Sequence, residues 1–79
     1  MTTPIPEYQD LTPASLDALE RAVREGRRVA LTRRGTEYVV VAVRLESAGR
    51  DEVLHARLPM TGESLEFRLR ELERFAILP

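Results

Sequence analysis

The sequence predicts an α+β domain: one N-terminal helix packed on a five-stranded antiparallel sheet that bends into a small barrel. Three observations predict it. Apolar residues recur at helical spacing only between Thr12 and Gly26, and from Arg27 onward the period switches to two. Gly35, Gly49 and the run Pro59-Met60-Thr61-Gly62 cut that two-residue pattern into short strands. A single helical turn, Arg70–Arg74, interrupts it before the last segment.

The bulk properties fit one small domain. A chain of 79 residues buries only about 60–65% of its unfolded surface, so its stability is modest unless it pairs. Hydrophobic residues make up 43% and charged residues 32%, the balance of a folded soluble domain rather than a disordered one. A net charge of −1 excludes a uniformly basic nucleic-acid binder and a strongly acidic tail protein. The lack of cysteine excludes disulfides and thiolate metal sites. The longest wholly apolar run, Tyr38–Val43, is far below the ~20 residues that span a bilayer. No basic stretch followed by an apolar one opens the sequence, so we expect no signal peptide and a cytoplasmic protein.

Residues 1–10, with Pro4 and Pro6, read as an extended arm that Ile5 and Tyr8 pin to a surface; residues 11–79 read as the barrel domain. Thr12 is a good N-cap and Pro13 suits the first helical position. Leu11 and Leu16 have hydrophobic-staple spacing. Leu16, Leu19 and Val23, with Ala22 beside them, form one apolar stripe. Asp17–Arg21 and Glu20–Arg24 are candidate ion pairs on the helix surface. Gly26 ends the helix at about Glu25.

In the first strand Val29 and Leu31 alternate with Arg28, Ala30 and Thr32, and Arg33-Arg34-Gly35-Thr36 forms a tight turn. The second strand, Glu37–Leu45, carries Val39, Val41, Val43 and Leu45 on one face and Tyr38, Val40 and Ala42 on the other. Apolar residues on both faces predict a central strand covered by the helix or by a second copy, with Val40, Ala42, Ile5 and Tyr8 as a candidate homodimer seam. Ser47-Ala48-Gly49-Arg50 reads as a loop, Glu52–Leu58 as the third strand and Ser64–Leu69 as the fourth. Leu72 is expected to be buried in the helical turn, and Phe75–Leu78 forms the fifth strand. This order fits an Sm-like or SH3-like small barrel with a 3-10 turn before its last strand.

Little in the sequence points to catalysis. His55 is the only histidine, and Ser15, Ser47 and Ser64 have no evident histidine base. Asp51 and Glu52 are adjacent on a strand and point to opposite faces, which rules them out as an acid/base pair. No metal-ligand cluster and no phosphate-cradling glycine motif occurs, so neither an enzyme nor a cofactor or metal is expected.

Charge is more informative. All 12 basic residues are arginine, the residue suited to bidentate phosphate or carboxylate contacts. Residues 27–50 hold six arginines and two acids, whereas the segments before and after are net acidic. Arg28, Arg33, Arg34, Arg44 and Arg50, with Tyr38 able to stack on a base, are therefore the candidate site for single-stranded nucleic acid or a nucleotide. The competing expectation is that these arginines pair with Glu37, Glu46, Glu66 and the helix acids on a solvated face, in a homo-oligomeric or partner-binding protein.

From Leu16 to Leu78 the chain resembles a WYL domain, itself an Sm-like barrel. Leu19 to Val29 is similar to that family's passage from helix into first strand, and Val43-Arg44-Leu45 to its second-strand end. Thr61-Gly62-Glu63 followed by Leu65 to Leu72 resembles its closing segment, with Phe67, Leu69 and Leu72 at the family's spacing. The family's Trp-Tyr-Leu signature falls on Glu52-Val53-Leu54. Its ligand-contacting arginines fall on Leu65 and Glu71, and its first-strand aromatic falls on Arg33. The resemblance implies a stand-alone regulatory module without the usual helix-turn-helix, and one whose ligand contacts are largely replaced. The passage from the helix through Val29–Gly35 is also similar to the start of Phd/YefM antitoxins.

Overall fold

The computed structural model describes residues 5–79, so Pro4 and the beginning of the expected arm lie outside the described residues. The chain runs through β1 (Glu7–Tyr8), α1 (Pro13–Glu25), β2 (Arg28–Arg33), β3 (Thr36–Ala48), β4 (Asp51–Arg57), β5 (Ser64–Arg68), a 3-10 turn (Leu69–Glu71) and β6 (Leu72–Ile77). The architecture is α+β: one helix and a six-stranded antiparallel sheet in the order β1-β6-β2-β3-β4-β5. The sixth strand comes from the arm. Glu7 pairs with Ala76 and Tyr8 with Phe75, and the Tyr8 and Phe75 rings stack at 5.3 Å. Two residues are too few to show a period, so the alternation that marks a strand was absent there.

The ends of α1 follow from its sequence. Thr12 Oγ1 accepts from the Ser15 backbone N–H at 3.1 Å, and Ser15 Oγ accepts from the Thr12 N–H at 2.8 Å. This reciprocal cap explains how Ser15 is buried without an unmet polar group. At the other end Gly26 has φ 62°, which lets the Arg27 N–H reach the Ala22 carbonyl at 2.9 Å. Leu19 and Ala22 are fully buried, with Leu16 and Val23 beside them at the core's margin. The expected pairs Asp17–Arg21 and Glu20–Arg24 do not form: among the described residues neither brings its charges within 4.0 Å.

Arg34 and Gly35 turn β2 into β3 with φ of 51° and 76°, the double positive φ of a type I′ hairpin. The β3–β4 connection is tighter than expected. Ser47 pairs with Glu52 and Ala48 with Asp51, leaving Gly49 and Arg50 as the turn. Ser47 Oγ donates to Glu52 Oε1 at 2.9 Å, which helps extend the ladder to its tip.

The two faces of β3 divide as the alternation sets them out, with the helix over the Val40–Ala42 side. Tyr38, Val40 and Ala42 point into the core, where Val40 is 0% and Ala42 2% exposed. Val39 and Val43 lie outward at 40% and 50% exposure. A β-bulge follows at Val43. Ala42 pairs with Ala56 and Arg44 with His55, so Val43 has no partner. The extra residue shifts the parity, and Leu45 joins the inward side opposite Leu54. The candidate homodimer seam through Val40 and Ala42 is therefore closed, because both are core residues under α1; Ile5 is exposed and Tyr8 is engaged with Phe75.

On β4 and β5, Leu54, Ala56 and Phe67 are buried as the alternation predicts. The helical turn forms one residue earlier than expected, and Leu69, not Leu72, is its fully buried residue. Leu72 instead opens β6 opposite Arg33.

Candidate functional site

The six sequence-predicted site residues do not converge. Arg28 opens β2 and Arg33 closes it, about 17 Å apart at strand rise. Arg44 lies beyond the β3 bulge and Arg50 in the far β3–β4 turn. Only Arg33, Arg34 and Tyr38 come together, at the β2–β3 hairpin.

Arg33 has an unusual environment there. Its guanidinium carbon sits 4.8 Å from the centre of the Phe67 ring and 5.5 Å from that of Tyr38. The two rings meet edge to face at 5.3 Å. Phe67 is core, so the guanidinium covers the aromatic end of the hydrophobic interior. Its Nη1 donates to the Glu66 carbonyl at a long 3.4 Å, leaving most of its donors free. Arg34 stands exposed on the turn beside it. Among the described residues, neither arginine has a carboxylate within 4.0 Å. Glu73 is anchored at the same turn through the backbone, its Oε1 accepting from the Gly35 N–H at 2.9 Å.

Arg44 has the opposite character. Its Nη2 lies 3.1 Å from Glu46 Oε2 and 3.3 Å from His55 Nε2. His55 Nε2 is also 3.7 Å from Glu46, and its Nδ1 is 3.5 Å from Glu66 Oε1. This network ties β3, β4 and β5 across the outer face and occupies Arg44 internally. It was missed in the sequence because the bulge puts Arg44 directly opposite His55, a register that one-residue alternation does not give. Of the anticipated pairings between this arginine-rich segment and Glu37, Glu46, Glu66 or the helix acids, the described residues show Arg44 with Glu46 and Arg27 with Glu25 at 2.9 Å.

Among the described residues, no group of three or more histidine, aspartate or glutamate side chains is placed to hold a metal ion, and no helix is long and apolar enough to cross a membrane. Comparison with protein-family models, curated proteins and solved structures finds no match for this chain.

Proposed function

We propose that the chain is a non-enzymatic binding module of the cytoplasm that contacts single-stranded nucleic acid or a nucleotide through Arg33, Arg34 and Tyr38. The observation that carries this reading is the pair of unneutralised arginines at one aromatic-floored hairpin. A guanidinium held beside two rings keeps N–H donors for a phosphate, and arginine planes also stack on bases. Arg34 adds a second phosphate contact from the turn. We further read the six-stranded open sheet as a variant of the small Sm-like barrel seen in WYL domains. The order β6-β2-β3-β4-β5 and the 3-10 turn between β5 and β6 support that reading, and the arm strand is an addition to it.

Two contacts set the expected salt dependence. With two phosphates neutralised on a single strand, affinity falls about sevenfold between about 50 and about 200 mM salt. Fluorescence anisotropy with labelled single-stranded DNA and RNA measures it. Wild-type binding with that slope, lost in Arg33→Glu/Arg34→Glu, is the expected result. Binding that the double variant leaves unchanged puts the site elsewhere, and no binding at either salt ends the nucleic-acid reading.

A further inference from the structure

The outer face of the sheet, opposite the core, carries a valine stripe that none of the described residues covers. Val39 and Val43 are 40% and 50% exposed, and Val41 between them is half-buried. Ala30 and Ala76 extend the apolar surface sideways, because Ala30 pairs with both Val39 and Ala76. Small residues at those positions leave the valines standing proud of β2 and β6.

The charges around the stripe have a definite pattern. Arg28 and Arg57 flank Val41, one on each neighbouring strand, since Val41 pairs with both. Glu37 lies at the other end of the stripe, on the same face as Val39 and Val41. It shares a shallow depression of about 230 Å³ with Ala30, Thr32, Arg74 and Ala76. Glu37, Arg28 and Arg57 are all exposed, and among the described residues none of the three has an ion-pair partner within 4.0 Å.

We propose that this face binds a second copy of the chain. A two-fold axis crossing the strands at Val39 sets Val39 against its own copy and reverses the strand direction. Glu37 then falls opposite Val41 of the other protomer, between that protomer's Arg28 and Arg57. The arrangement is self-complementary, as an isologous interface requires, and it satisfies two carboxylates and four guanidinium groups that are unpaired in one chain. Glu7, three strands out, lies at the rim, where sheet twist carries the two faces apart. Four strands about 4.8 Å apart and about 20 Å long give a footprint of roughly 400 Å². That is below the ~800 Å² per partner of a standard interface and belongs to the class of weak, transient associations. The face shares no residue with the Arg33–Arg34–Tyr38 site, so the two proposals stand or fall separately.

Sedimentation velocity over a concentration series up to about 1 mM, a range that captures weak association, tests it. The full chain is expected to pass from monomer to dimer within that range. Val39→Glu, at an exposed position, is expected to remain monomeric with an unchanged circular dichroism spectrum. Glu37→Arg weakens the dimer at least tenfold by facing two arginines. Combining it with Arg28→Glu and Arg57→Glu restores affinity to within about threefold of wild type, by the coupling expected of charges in contact. A chain that is monomeric throughout, a dimer indifferent to Val39→Glu, or a triple variant no tighter than Glu37→Arg would each overturn the proposal.

Discussion

Arg33 has two roles that a single substitution can separate. Its guanidinium covers Phe67 and Tyr38, and its unpaired donors face outward. Arg33→Met keeps an apolar stem over the rings but removes the charge. An exposed cation–π contact contributes about 0.5–1 kcal/mol, so the urea midpoint should fall by no more than that implies. Oligonucleotide affinity, which depends on the lost donors, should fall at least tenfold. A large loss of stability with binding intact would make Arg33 a structural cap and leave Arg34 to be tested alone. The site was legible in the sequence only to this extent. Arg33, Arg34 and Tyr38 belong to one hairpin, where nearness along the chain is nearness in space. Arg28, Arg44 and Arg50 were grouped by a run of charge, and strands carry such runs apart at about 3.3 Å per residue.

At the scale of elements, the strand added by the arm and the bulge at Val43 separate the expected sheet from the observed one. The helix, its caps and the first hairpin turn were legible because each is signalled locally: Thr12 and Pro13 at one end, Gly26 at the other, Arg34-Gly35 at the turn. The alternation on β4 and β5 was legible too, since their inward faces are regular. In β3 both faces are apolar, so alternation could not say which side is core. The bulge at Val43 leaves no mark in a run of valines. Its consequence is testable in pairs. Val40→Asp puts a charge at a 0% exposed position under α1, and we expect it to abolish cooperative unfolding at 25 °C. Val43→Asp, at 50% exposure, should shift stability by no more than about 0.5 kcal/mol. Urea titration followed by circular dichroism checks both. The opposite ranking would restore the simple alternation in which Val43 faces the core.

At the scale of the whole molecule, the question is how so short a chain manages the edges of an open sheet. β5 is paired on one side only, to β4, and exposes Ser64, Glu66 and Arg68. Charges on an edge strand oppose addition of another strand, so that edge is protected by its composition. β6 is protected differently. Its free edge would offer the backbone of Phe75 and Ala76, and the arm covers it with Glu7 and Tyr8. Tyr8 also lays its ring on Phe75, a 3% exposed core residue. Deleting residues 1–9 removes both the ladder and the ring. An aromatic pair contributes about 0.5–1.5 kcal/mol beyond its buried area, and half-burying a tyrosine adds a similar amount. The expected loss of about 1–3 kcal/mol is large against the ~4–12 kcal/mol total of a domain this size. Tyr8→Ala should reproduce most of that loss while keeping the edge covered. The truncated chain alone should then show concentration-dependent light scattering, because only it bares the strand edge. Equal scattering from the two variants would mean that the ring, rather than the backbone cover, guards β6.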